Sequence, residues 1–155
     1  MGTMSKEELK ELYEKDFPLW VEENLKLLRE KAYELVDWEN LLEEIEDMGL
    51  RYLDSCVSHL AVVLENLYKW DNFKELIKTK RKKVSFSWIK NVENARDELE
   101  LLFYKYPSLK ARLPQEVSYA WKQARVGVRK WLRKLSYDPE EFDIPKECPY
   151  TYEEA

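Results

Sequence analysis

The sequence predicts an all-α fold, a single-domain bundle of about five to six helices around one long central helix at about residues 38–70. Three observations carry this expectation. Only three glycines and six prolines accompany 37% charged and 14% aromatic residues, the composition of helices joined by short connections. Apolar residues recur with a helical period, nearly unbroken, from Trp38 to Trp70. A chain of 155 residues is the usual size of one domain and buries a core without help from disulfides or metals.

The elements follow in order. Met1 to Thr3 read as an added leader ahead of a natural start at Met4, which leaves 5–155 as the helical domain. Ser5-Lys6-Glu7-Glu8 has the S-x-x-E form of a capping box, with Leu9, Leu12 and Tyr13 on one face of the short helix behind it. Asp16 caps a second helix with Pro18 in its first turn and Trp20, Val21, Asn24, Leu27 and Leu28 facing inward, fading around Ala32. Asp37 caps the third and longest helix. Its inward set is Trp38, Leu41, Leu42, Ile45, Gly49, Tyr52, Leu53, Cys56, Val57, Leu60, Val63, Leu64, Leu67 and Trp70. Phe73, Leu76 and Ile77 form a short amphipathic piece before the basic run Lys78 to Lys83, which lacks apolar periodicity and reads as a helix end or exposed connection. Ser85 or Ser87 then caps a helix with Trp88, Val92, Ala95, Leu99, Leu102, Phe103 and Tyr106 inward, stopped by Pro107. Pro114 opens the last major helix, which buries Val117, Ala120, Trp121, Ala124, Val128, Trp131, Leu132 and Leu135. From Asp138 the chain is too rich in proline for a continued helix, so the tail packs extended against the bundle.

Charge is strongly segregated within a net of -5. Residues 1–54 carry 16 acids against 7 bases, whereas residues 110–137 carry 8 bases against 1 acid. Opposite blocks of this kind attract each other within a fold, and the acidic blocks oppose nucleic acid. No apolar run approaches the roughly 18 to 20 residues that cross a bilayer, so no membrane span is expected. Two distant cysteines, Cys56 and Cys148, without an apolar leader point to reduced thiols and a cytoplasmic location. Abundant Glu and Lys with few Gly and Met fit a thermophilic source.

Several strings then match a known pattern. These are Tyr13-Glu14-x-Asp16-Phe17-x-x-Trp20 and Asp37-x-x-Asn40-Leu41-x-Glu43-Glu44-Ile45-Glu46-Asp47-Met48-Gly49. Lys69-Trp70, Ser87-Trp88, Pro107-Ser108-Leu109 and Cys148-Pro149-Tyr150 follow in the same order. On these residues the chain resembles the bacterial family catalogued as domain of unknown function 29, over nearly its whole length. The acidic Asn40 to Gly49 string is the specific part. The resemblance implies an all-helical fold in a bacterial, often cyanobacterial, setting, and it implies no activity. Where that family often carries a His four residues before the Trp of Lys-Trp, this chain has Asn66, and its one histidine is His59.

The acids of the third helix divide into two groups when the helix is projected at ~100° per residue. Glu44 and Asp47 fall toward the solvent side, where Arg51 stands four residues after Asp47. Glu39, Glu43 and Glu46 line one flank of the apolar stripe with no base on their own helix, and like charges in a row ask for a cation. The favoured neutralisers are Lys122, Arg125 and Arg129 along one flank of the last helix, in an interhelical salt network, with Gly127 letting a neighbouring helix approach. A sharper alternative sets a divalent metal, Mg or Mn, on Glu39, Glu43 and Glu46, with Glu14, Asp16 or Glu65 contributing, as in a hydrolase of nucleotides or phosphoesters. Against it, Glu43-x-x-Glu46 and Glu44-x-x-Asp47 overlap on one helix instead of standing on two. A second alternative is a nucleic-acid binder acting through residues 78–83. Serine-nucleophile motifs and glycine-rich phosphate loops are missing, His59 has no carboxylate four residues away, and the six tryptophans sit mostly at inward positions. The expectation is therefore a noncatalytic protein–protein interaction module without cofactor, whose partner is another protein or a second copy in a homodimer.

Overall fold

The computed structural model describes residues 4–78 and 82–155, with side chains outside 74–87. It is all-α. Helices α1 (Lys6–Lys15), α2 (Phe17–Arg29), α3 (Trp38–Lys78), α4 (Lys82–Lys105), α5 (Ser108–Arg112) and α6 (Val117–Lys134) follow one another, with short 3-10 turns at Tyr33–Leu35, Leu113–Glu116 and Pro139–Glu141. Non-helical backbone at Phe73 interrupts α3, close to where its apolar period was expected to end. The expected inward positions Leu76 and Ile77, the caps Ser85 and Ser87, and the Lys78 to Lys83 run lie outside the described side chains. The chain gathers into two compact units, Met1–Leu50 and Arg51–Ala155.

In the first unit the expected caps form. The Ser5 hydroxyl accepts from the Glu8 N–H at 3.2 Å and the Asp16 carboxylate from the Leu19 N–H at 3.3 Å, each satisfying an amide that the helix leaves unpaired. Helix α2 ends without glycine: Lys31 takes the left-handed conformation (φ 60°), and the Ala32 N–H reaches back to the Leu27 carbonyl at 2.9 Å. Leu9, Trp20, Leu27 and Val36 make the core of this unit, with Leu12, Tyr13, Leu28 and Leu41 packed on it.

A buried polar network fixes how α3 enters this core. Asp37 is 3% exposed and Asn24 2%. The Trp20 indole N–H and the Asn40 amide both donate to Asp37 Oδ2, at 2.9 and 2.7 Å. Asn24 accepts from the Asp37 N–H at 3.0 Å and donates to the Trp20 carbonyl at 2.8 Å. Trp20, Asn24 and Asp37 thereby tie α2 to the first turn of α3 with every buried polar group answered.

That anchoring turns α3 away from its expected orientation. Leu41 and Glu44 face α1 and α2, and the Tyr13 hydroxyl donates to Glu44. Trp38, Leu42, Ile45, Gly49 and Tyr52, read as inward, are exposed. Val21, also expected inward, is exposed on α2. Glu44, read as solvent-facing, is half-buried. Periodicity locates an apolar face but not its neighbour; here the hydrogen bonds of Asp37 and Tyr13 decide the rotation. Gly49 has nothing within 4 Å of a built Cβ. Gly49→Ala is therefore expected to stabilise the chain by about 1 kcal/mol through helix propensity alone, measurable by urea denaturation.

In the second unit most of the expected inward positions hold, with Tyr52 exposed and Leu102, Phe103, Tyr106, Val117, Trp131 and Leu135 half-buried. Leu53, Cys56, Val57, Leu60, Val63 and Leu64 of α3 are buried, as are Val92, Ala95 and Leu99 of α4 and Ala120, Trp121, Ala124, Val128 and Leu132 of α6. Helix α4 starts at Lys82, ahead of Ser85, and α6 at Val117, with Pro114 in the 3-10 turn before it. Ser136 (φ 68°) closes α6 as Lys31 closes α2, with the Tyr137 N–H on the Leu132 carbonyl at 3.0 Å. The tail packs on its unit: Ile144 is buried, the Trp121 indole donates to the Pro145 carbonyl at 3.0 Å, and the Tyr150 hydroxyl donates to Asp71 at 2.6 Å. Burial together with Asp71 raises the Tyr150 pKa well above its ordinary value.

Candidate functional site

The two units each carry a surface feature that core packing does not account for. In the first it is the outward face of α3. Trp38 (42% exposed), Leu42 (59%), Ile45 (52%) and Met48 (61%) stand at i, i+4, i+7 and i+10 on one side of the helix. The Trp38 indole is held by the Tyr33 carbonyl at 2.7 Å, so the ring is fixed while one side stays open. The acids divide around this face. Glu39 takes Lys10 of α1 at 3.2 Å, a largely exposed pair that raises the Lys10 pKa. The Glu44 carboxylate, by accepting a hydrogen bond from the Tyr13 hydroxyl, pushes the Tyr13 pKa up to about 12. Glu43, Glu46 and Asp47 are exposed. In the first unit, Glu43 and Glu46 form no ion pair among the described residues.

In the second unit Lys122 is exposed and Arg125 half-buried, its Nε without a hydrogen-bond partner among the described residues. Arg129 donates to Glu140 of the tail at 2.5 Å. Arg51 is exposed. Glu14 is exposed, and Asp16 serves as the cap of α2. Among the described residues, no three His, Cys, Asp or Glu side chains converge closely enough to hold a metal ion.

The second feature is an open cleft of about 400 Å³ between α3 and α4, lined by His59, Val62, Glu65, Asn66 and Lys69 on one side and Asn91, Asn94, Ala95 and Glu98 on the other. Glu65 and Lys69 pair at 3.6 Å with side chains only 21% and 15% exposed. Burial raises the Glu65 pKa and lowers that of Lys69, each partner offsetting only part of the other's desolvation. The signs are opposite. The raised carboxyl pKa favours the fold most at pH below the ordinary carboxylate range, and that contribution is lost as pH rises through the folded value. The lowered ammonium pKa adds stability as pH rises from the folded value toward the ordinary lysine range. Lys69 also lies over the Trp131 ring, 4.9 Å from its centroid.

Helix α6 makes room for Glu65. A Cβ built on Gly127 would stand 1.7 Å from Glu65 Oε1, so the close approach expected at Gly127 is real and its neighbour is α3. Asn66 is 7% exposed; its side-chain amide donates to the Val62 carbonyl at 2.7 Å, and its backbone carbonyl takes the Trp88 indole N–H. A Glu and a Lys four residues apart read in sequence as an ordinary surface pair. The signal that they are buried is Gly127 on a different helix, which periodicity along α3 does not contain.

Fold and surface together define an all-helical protein that presents an open, acid-edged apolar helix face and an interhelical cleft. The chain belongs to the DUF29 family, a domain of unknown function, whose model matches residues 12–155. No curated protein and no solved structure matches it. Among the described residues, no helix is long and apolar enough to cross a membrane.

Proposed function

We propose that the protein is a noncatalytic interaction module whose first unit receives a basic amphipathic helix of a partner protein along the outward face of α3. The observation that carries this is the exposure of Trp38, Leu42, Ile45 and Met48 on one helical face, beside the carboxylates of Glu43 and Glu46. Leaving such a row in water forfeits apolar burial, and rows of this kind mark contact surfaces. The spacing suits a helix laid alongside, read at i, i+4 and i+7. The acidic edge selects its charge: lysines or arginines flanking the partner's apolar stripe would meet Glu43 and Glu46. A second copy is the poorer occupant. Between Trp38 and Leu50 the helix has no lysine or arginine, and antiparallel pairing of two copies through this face would align acidic edge with acidic edge.

The test is capture of partners by the full chain from cells of its source, followed by calorimetric titration with the purified partner. Ile45→Lys replaces an exposed side chain and should leave the melting temperature nearly unchanged. It is expected to weaken binding by about thirtyfold, as loss of a central apolar anchor does. Glu43→Lys should weaken binding most at low salt. Unchanged affinity in folded Ile45→Lys would overturn the reading.

A further inference from the structure

Helix α2 carries an exposed apolar row of its own, distinct from that of α3. Phe17, Val21 and Leu25, each 41 or 42% exposed, stand at i, i+4 and i+8, so each follows the last by about 40° around the helix. The row is held in place before anything meets it. The Asp16 cap fixes the first turn, and the Phe17 ring stacks on Trp20 and meets Tyr13 edge-on, with centroids 5.5 and 5.9 Å away. On one side of the row lies the core, with Asn24 buried and Leu28 half-buried; on the other lie Glu22, Lys26 and Arg29, all exposed. Glu22 and Lys26 are four residues apart, yet neither they nor Arg29 form an ion pair among the described residues. We propose that this face is a dimer interface, in which α2 packs antiparallel on α2 of a second copy across a two-fold axis.

The charged edge selects the occupant. It runs from an acid, Glu22, to bases nearer the C-terminal end, Lys26 and Arg29. A two-fold axis perpendicular to the helices sets this edge against its own reversed copy, so that acid meets base twice. With the axis level with Glu23, Val21 sits on the partner's Leu25, and Leu25 on the partner's Val21. Glu22 and the partner's Lys26 then differ by about 3 Å along the helix axis, at about 1.5 Å per residue, which is within side-chain reach. Phe17 comes level with the partner's Arg29, whose guanidinium suits an aromatic face. Parallel pairing would instead set the charged edge against the core side of the other copy. The α3 row differs in kind, because its edge is acidic throughout and repels a copy of itself.

Sedimentation velocity on the full chain, from about 1 µM to about 500 µM, tests this. One helix pair buries less than the roughly 1,600 Å² of a standard interface, so a dimer with a micromolar dissociation constant is expected. Leu25→Asp, at an exposed position, should leave the melting temperature nearly unchanged and weaken dimerisation by about tenfold or more. Glu22→Lys and Lys26→Glu should each weaken it by about fivefold, and the two together should restore it, since the double swap returns opposite signs to both contacts between copies. Ile45→Lys, on α3, should not affect it. A chain that stays monomeric throughout, a dimer undiminished in folded Leu25→Asp, or one lost equally in Ile45→Lys would overturn the proposal, as would a double swap no tighter than either single change.

Discussion

Replacing Asp37 by alanine is expected to lower the unfolding free energy by about 3 kcal/mol, the largest effect of any single polar substitution considered for this chain. The residue is 3% exposed, and its carboxylate accepts from the Trp20 indole and from the Asn40 side chain. Alanine leaves the buried Trp20 indole N–H unanswered and the half-buried Asn40 amide without its partner, and it removes the side chain that begins α3. Each unsatisfied buried donor costs about 1 to 3 kcal/mol, and loss of a helix cap adds about 1. Asp37→Asn keeps the shape but has only one accepting oxygen, so roughly half of the loss is expected. Urea denaturation followed by tryptophan fluorescence measures both. An Asp37→Ala variant within about 0.5 kcal/mol of the parent would show that the network does not hold α3 in place.

The second large effect belongs to Gly127. A leucine there must drive the Glu65 carboxylate from its seat, because the carboxylate already fills the position of a Cβ, with Oε1 at 1.7 Å and Cδ at 2.5 Å. Gly127→Leu should cost about 3 kcal/mol, from overpacking and from separating a largely buried ion pair. Alanine gives the more decisive comparison. In a helix interior it is worth about 1 kcal/mol over glycine, and expulsion of Glu65 from its seat opposes that gain. Gly127→Ala should therefore be neutral or destabilising alone, and stabilising by about 1 kcal/mol when combined with Glu65→Ala. Equal effects in the two backgrounds would mean that the carboxylate moves aside without loss.

The second unit was largely legible in the sequence. From Leu53 to Leu64 and from Val92 to Leu99 the apolar period names the buried residues, because helices on several sides leave each stripe a single way to face. The caps Ser5, Asp16 and Asp37 were legible too, since a short polar side chain ahead of an apolar run has a local use. The first turns of α3 were not. Their rotation depends on long-range hydrogen bonds donated by Trp20 and Tyr13 and accepted by Asn24, none of which leaves a trace in the spacing of Trp38, Leu42 and Ile45. The helix ends near Lys31 and Ser136 were read to within a few residues, but not the left-handed residues that close them. With only three glycines in the chain, left-handed closing positions fall on residues that do not announce them. Of the candidate site, the acidic edge of Glu43 and Glu46 could be read in advance, whereas the cleft required knowing that α6 presses on Glu65.

Gly127 also acts as an address. It is the single position in α6, from Val117 to Lys134, that lacks a side chain, and Glu65 is seated there. Sliding α6 along α3 by one turn would bring Gln123 or Trp131, four residues away on the same face, over the carboxylate, each with a Cβ where Gly127 has none. The missing side chain thus sets the axial alignment of two long helices whose apolar stripes alone would tolerate several, and a charged group in a poorly solvated place becomes the key that selects one.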